Sequence, residues 1–266
     1  MNTIGIDIGS SLIKIVEVDI NNKIINSGIF EKERIENLLT FFIKQNNINI
    51  SNIKKIVLTG IGADKINQNL LEIETIKVDE LTAIGKGGVY LTGANNKIII
   101  SIGTGTAFIK YENGKFTHIG GTGVGGGTFI NLCKTLTGEN DIDKIKELIN
   151  NGNINDVNIT MKDLTNKETD KLLSDITLAN LGKLDRKTTK EDIALGILNM
   201  VMEVIGMMAA FTVQGLPYKE VVLTGNLITF PNAFEIIKRI ERIQNVKFVM
   251  PENPEFATIL GAINMC

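Results

Sequence analysis

A two-lobed α/β fold, made of a duplicated strand and helix unit around a central cleft, is what this sequence of 266 residues predicts. Three observations point to it. Stretches with strand periodicity alternate with stretches of helical periodicity along the chain. The segment TIGIDIGSSLIKI is echoed by KIIISIGTGTAFIKY: an apolar strand, a Gly/Ser/Thr turn, then a second apolar strand carrying a lysine. KKIVLTG at 54–60 is echoed by KEVVLTG at 219–225. One such echo is ordinary in α/β proteins, but two in the same order mark a repeated unit.

The N-terminal region reads as a meander of three strands, TIGIDI, LIKIVEVDI and KIINSGIF, with GSS and NN as the turns. The helix RIENLLTFFIKQN, with apolar residues at helical spacing, leads into the strand KKIVLTG. IETIKV then reads as a strand and ELTAIGKGGVYL as a helix. After GANN the pattern restarts with the strands KIIISI, TAFIKY and KFTHI, the last two joined by the hairpin turn ENG. A glycine run and helices to about residue 151 follow, so the lobes are expected at residues 1–93 and 94–266. NGNINDVNITMKDLTNKETDKLLSD is polar with sparse apolar residues and reads as a loop-rich excursion. A long helix is expected over about 189–214, with Thr188 and Glu191 as a T-x-x-E capping box and QGLP as its end. Its Met-rich apolar surface exceeds what one lobe can cover, which predicts a homodimer interface.

Charge and cysteine content exclude several classes. The 28 Lys+Arg and 30 Asp+Glu residues are interspersed and sum to a net charge of -2, so no nucleic-acid partner is expected. The two cysteines, Cys133 and Cys266, fall outside any C-x-x-C pattern and support neither a disulfide framework nor a zinc site. A reducing cytoplasmic setting fits, and the first residues carry no export signal. IALGILNMVMEVIGMMAAF at 193–211 is nearly long enough to span a bilayer, but Asn199 and Glu203 interrupt it and argue against a membrane role.

Three glycine-rich turns follow apolar strands: DIGSS at 7–11, GTGT at 103–106 and GGTGVGGGT at 120–128. Such turns let consecutive backbone amides converge on an anion, and small hydroxyls add donors. None has the Walker spacing, and none is the G-x-G-x-x-G of a βαβ dinucleotide site, because the first two join strand to strand. Together they predict a nucleotide cleft.

With GIDIGSSLIKI, VDELTAIGKG, IGTGTAF, GGTGVGGGTF, SDITLANLGKL and VVLTGN in this order, the chain resembles the sugar kinase, heat-shock chaperone and actin superfamily of ATPases. Within it, the resemblance is to the type II pantothenate kinases. It implies two actin-like, ribonuclease H-like lobes with mixed sheets and flanking helices. It also implies ATP with Mg²⁺, and ATP-dependent phosphorylation of pantothenate to 4'-phosphopantothenate, the first step of coenzyme A synthesis. By this resemblance Asp7 faces the Mg²⁺ directly or through water. Gly9, Ser10 and Ser11 form the first phosphate hairpin, and Lys14 sets its charge against the β- and γ-phosphates. Gly103, Thr104 and Gly105 form the second hairpin, with Thr104 also near the acceptor. Gly125, Gly126, Gly127 and Thr128 open a helix whose amide donors face the nucleotide, and Gly225 and Asn226 border the adenosine.

Glu80 is the expected general base, since phosphoryl transfer to an alcohol calls for a carboxylate within reach of the attacking hydroxyl. It begins the family's E-L/F-D motif, which here reads Glu80, Leu81, Thr82 and so departs at its third residue. Asp79 is the rival one position away. His118, the chain's one histidine, stands where the family places an arginine that contacts the acceptor. Histidine offers a single donor and no permanent charge, so the exchange is not conservative. It leaves open a tolerated loss, a changed acceptor, reduced activity or no role. Two alternatives therefore accompany pantothenate: a superfamily kinase of another small alcohol such as an amino sugar, and a degenerate ATP-binding sensor or activator ATPase. The activators of 2-hydroxyacyl-CoA dehydratases hold an iron–sulfur cluster between subunits, and the positions of Cys133 and Cys266 do not suit one.

Overall fold

The computed structural model describes residues 1–164 and 176–266. Its first sheet contains β1 (Asn2–Ile8), β2 (Leu12–Val18), β3 (Ile24–Glu31), β4 (Ile53–Thr59) and β5 (Thr75–Lys77), in the order β3-β2-β1-β4-β5. β1, β2 and β3 pair antiparallel, while β4 and β5 run parallel to β1. β1 and β2 are buried nearly throughout, as expected of apolar strands covered on both faces; the edge strand β3 alternates between half-buried and exposed positions. Helix α1 (Ile35–Gln45) covers one face with Leu38, Leu39 and Phe42.

Helix α2 (Glu80–Thr92) leads to a second sheet of β6 (Lys97–Ile102), β7 (Thr106–Glu112), β8 (Lys115–Thr122), β11 (Glu220–Thr224) and β12 (Lys247–Val249). Its order, β12-β11-β6-β7-β8, has the topology of the first sheet, with β4 and β11, the two LTG strands, in the same place. The echo fails at one residue. Lys14 pairs across β1 with Asp7, whereas Lys110 pairs with Ile98, farther from its hairpin tip, and bonds Glu112 at 3.1 Å.

The strand expected to stop at Ile119 continues through Gly120 and Gly121 to Thr122, because those glycines pair with Phe108 and Ala107 of β7. Beyond it come α3 (Gly126–Thr137), α4 (Ile142–Asn151) and two single turns, α5 (Ile154–Val157) and α6 (Met161–Leu164). β9 (Ile159–Thr160) pairs antiparallel with β10 (Thr177–Ala179). Residues 165–175 of the expected loop-rich excursion, and with them the first two residues of SDITLANLGKL, lie outside the described residues.

The long helix α7 spans Lys190–Val213. Its cap is Thr189, which accepts from the Asp192 amide and donates to the Asp192 carboxylate at 2.6 Å; Thr188, expected as the cap, bonds Asp185 in the preceding turn. α7 is long and apolar enough to cross a membrane by length and composition, yet 72% of its most apolar window is buried inside the chain. It packs on α3, α4 and α8 (Ala233–Ile240) over the second sheet. Glu203 and Asn199 lie in a network with Thr177, Asn180 and Asn158, so each polar group that interrupts the apolar run has a partner.

The last helix, α9 (Ala257–Ile263), returns to the first sheet and lies against β1, β4 and α2. α2 touches α9 on one side and β6, β7 and β11 on the other, so the pair fills the space between the sheets. A Cβ on Gly87 would lie 1.9 Å from the Ala257 carbonyl oxygen, and one on Gly261 would lie 2.0 Å from that of Ala83. Backbone meets backbone there, and only glycine permits the crossing.

Candidate functional site

The ends of β1, β2 and β4 and the start of α2 bring three charged groups together. Asp7 and Lys14 are buried cross-strand partners whose carboxylate and ammonium lie 3.7 Å apart. Burial raises the proton affinity of Asp7 above the ordinary carboxylate value, with Lys14 opposing the shift. Glu80, the first residue of α2, is half-buried, and its pKa is also raised: burial contributes most, followed by the negative charge of Asp7. The nearby backbone amide of Ile61 pulls the other way, as Lys14 does more weakly.

Asp79 is engaged otherwise. Its carboxylate accepts from the Thr82 amide at 2.8 Å and the Thr82 hydroxyl at 2.7 Å, which caps α2 and lowers its pKa. Thr82, the departure from the family motif, is therefore what completes the cap. Sequence reasoning missed this, and also missed the turn Gly60–Ile61–Gly62 after β4. The glycine ending each LTG strand was its visible signal.

The two hairpin tips meet. The Ser10 hydroxyl lies 2.8 Å and the Ser11 hydroxyl 3.0 Å from the Thr104 hydroxyl, and Lys32 reaches the Ser10 carbonyl at 3.3 Å. Gly9 closes its own turn by donating to the Leu12 carbonyl. The third glycine loop docks behind the second: the Gly126 amide donates to Gly103 O at 2.8 Å and the Gly127 amide to Thr104 O at 2.9 Å. Two amides expected to face a nucleotide are thus used in fixing α3 to the hairpin. Gly125 lies against Gly105, and the Thr128 hydroxyl donates to the Gly123 carbonyl. Gly225 and Asn226 follow β11 beside the same group; Gly225 lies against the Ile102 carbonyl, and a Cβ on Gly126 would lie 4.0 Å from Leu227 Cβ. An open groove of about 500 Å³ runs from Thr104 along α3 past Thr128, Asn131 and Thr135.

His118 belongs to a different wall. On the edge strand β8 it pairs with Ile109, two positions along from the Tyr111 and Phe116 pair, and these residues share the face toward α2. The Phe116 ring lies against Gly85 with the Lys86 ammonium 5.6 Å from its centre. β8 runs from Phe116 toward the hairpin tip, where Thr122 pairs with Thr106, and His118 is exposed along it. Cys133 is buried in α3, and burial pushes its thiol up to about 12, the character of an inert cysteine; Cys266 is exposed at the C-terminus.

Chemically, the arrangement offers a half-buried carboxylate in Glu80, a buried cation in Lys14, and hydroxyls and amides at two converging turns. Among the described residues no group of three or more His, Cys, Asp or Glu could hold a metal ion by itself. The donor set fits Mg²⁺ carried on phosphates, which takes one or two carboxylates from the protein.

A family model described as Fumble matches residues 96–235. A curated relative, the type II pantothenate kinase of Bacillus cereus strain G9842, is 30% identical over 213 residues that cover 76% of each chain. Among solved structures, the activator of the 2-hydroxyisocaproyl-CoA dehydratase from Clostridium difficile with bound ADPNP superposes with a TM-score of 0.66 at 18% identity, covering 98% of this chain and 92% of that one. A ROK family glucokinase from Streptomyces griseus in complex with glucose and AMPPNP gives 0.63 at 11% identity, over 100% and 99% of the two chains. The two structures share this chain's fold, and the relative speaks to the family.

Proposed function

The chain belongs to the Fumble family, whose curated relative is a type II pantothenate kinase, and on that premise we propose that it transfers the γ-phosphoryl group of ATP to pantothenate. The product is 4'-phosphopantothenate, at the first step of coenzyme A synthesis. The observation that carries this reading is the meeting of Asp7, Lys14 and Glu80 beside two hydroxyl-bearing hairpin tips.

Glu80 takes the proton from the primary hydroxyl as its oxygen attacks. Lys14 stabilises charge that develops on the transferring group, and Ser10, Ser11 and Thr104 exchange their mutual hydrogen bonds for phosphate oxygens. Asp7 would hold a Mg²⁺ ion, directly or through water, and that ion would supply neutralisation of phosphate charge. Gly225 and Asn226 border the adenosine. His118 contacts the acceptor on the β8 side. Residues 1–93 and 94–266 act as the two lobes, and the free thiols suit a reducing cytoplasm. A homodimer through the exposed part of α7 completes the proposal.

An assay of ADP release tests the reaction, with pantothenate, pantetheine and a panel of sugars as acceptors. Wild type turns over with pantothenate. Glu80→Gln lowers kcat by roughly 10²–10⁴ while ATP affinity stays within about twofold. His118→Arg raises kcat/KM for pantothenate. ADP release with a sugar and none with pantothenate would replace the acceptor, and ATP binding with no acceptor-dependent release would indicate a sensor.

A further inference from the structure

An exposed cation touches the first hairpin tip without belonging to the Asp7, Lys14 and Glu80 cluster. Lys32 lies one residue past β3, and its ammonium donates to the Ser10 carbonyl at 3.3 Å. Strand register places it there: β3 ends where Glu31 pairs with Leu12, so the next residue stands beside the turn of Ser10 and Ser11. The same Ser10 donates its hydroxyl to Thr104 at 2.8 Å, where the two tips meet. The carbonyl and hydroxyl oxygens of one serine are at most roughly 4.5 Å apart, so the ammonium is within roughly 8 Å of the hydroxyl that joins the tips.

The charge of Lys32 is not engaged elsewhere. Among the described residues it makes no ion pair, while of its neighbours Glu33 accepts from Asn37 at 3.0 Å and Arg34 pairs with Glu36 at 4.0 Å. The duplicated plan gives an independent pointer. In the second sheet the third strand ends where Thr122 pairs with Thr106, so Gly123 is the counterpart of Lys32. Gly123 lines the open groove together with Thr104. The position past each third strand thus borders its own hairpin tip, and in the first sheet it carries a cation.

We propose that Lys32 is a further nucleotide-binding residue, which pairs with the terminal phosphoryl group of ATP. This rests on the reading of the cleft as an ATP site. The proposed adenosine turn of Gly225 and Asn226 follows β11 of the second sheet, so the phosphate that reaches the hairpin of the first sheet is the last of the chain. An ammonium held by one backbone carbonyl gains by exchanging it for a phosphate oxygen, because both partners of the new bond are charged. Lys14 acts from inside the sheet, and Lys32 adds a second cation from its edge strand.

Calorimetric titration with a non-hydrolysable ATP analogue and with ADP, on wild type, Lys32→Gln and Lys32→Arg, tests the assignment. Lys32→Gln removes the charge and should weaken the ATP analogue about tenfold while ADP stays within about twofold. Lys32→Arg keeps the charge and should hold the ATP analogue within about threefold of wild type. Equal weakening of both nucleotides by Lys32→Gln, as a distorted hairpin would give, overturns the role of Lys32, and so does unchanged affinity for both. The titration uses no acceptor, so it decides that role whichever alcohol is phosphorylated. A wild type that binds neither nucleotide overturns the functional reading and this inference together.

Discussion

Asp7 and Glu80 hold their protons more tightly in the folded chain than they would unfolded, in both cases chiefly through burial. Such a shift adds stability that is fully present below the unfolded pKa and lost as pH rises through the raised folded value, so at neutral pH these charges oppose folding. Glu80→Gln should raise Tm at pH 7, with the difference from wild type vanishing below about pH 4.5, the ordinary glutamate value. A general base must be ionised, so kcat/KM should fall on the acid side at a pH above that value. A thermal scan and a pH–rate profile check both statements, and an unchanged Tm or an acid limb at or below 4.5 contradicts them. The preference for Glu80 over Asp79 was legible from the motif and its spacing to Gly87, but the hydrogen bonding that separates the two acids was not: Thr82 engages Asp79 with two hydrogen bonds and leaves Glu80 to the cluster.

At the scale of elements, apolar periodicity located most strands and helices, and failed where composition conceals pairing. Gly120 and Gly121 read as loop, yet they extend β8 because a strand is defined by backbone hydrogen bonds to β7, which glycine makes as any residue does. The α7 apolar surface misleads in the opposite sense. The predicted excess over one lobe is largely taken up by α3, α4 and α8, leaving Val204 at 39% and Phe211 at 60% exposure as its large exposed side chains. The proposed homodimer must therefore use a short stripe, in which Phe211 is the largest apolar contributor. Phe211→Asp should shift the mass measured by light scattering from dimer to monomer without changing the far-ultraviolet spectrum. A wild-type monomer mass independent of concentration would remove the proposal.

Across the whole molecule, the least local feature is the α2 and α9 pair. Helices separated by most of the chain cross with backbone contact at Gly87 and Gly261, and α2 carries Glu80 at its N-terminus. The seat of the candidate base is thus held by the last helix of the chain as well as by the first sheet. Gly261→Ala sets a methyl 2.0 Å from the Ala83 carbonyl oxygen, and no flexible side chain there can yield. It should cost about 3 kcal/mol or more in denaturant unfolding. A cost below about 1 kcal/mol would show that the crossing relaxes easily.

The sequence by itself determined the duplicated α/β plan, the three glycine turns and the residue types of the cluster, since strand and helix periods and glycine's freedom are local properties of a chain. Which groups meet was decided by tertiary structure alone. Lys14 faces Asp7 through strand register, and Glu80 comes near them because β5, which pairs with β4 in the same sheet, leads into α2. Gly126 and Gly127 lose their amides to the hairpin carbonyls of Gly103 and Thr104. Hydrogen-bond partners and burial depend on contacts between distant segments, and these exist only once both sheets have closed on the α2 and α9 pair.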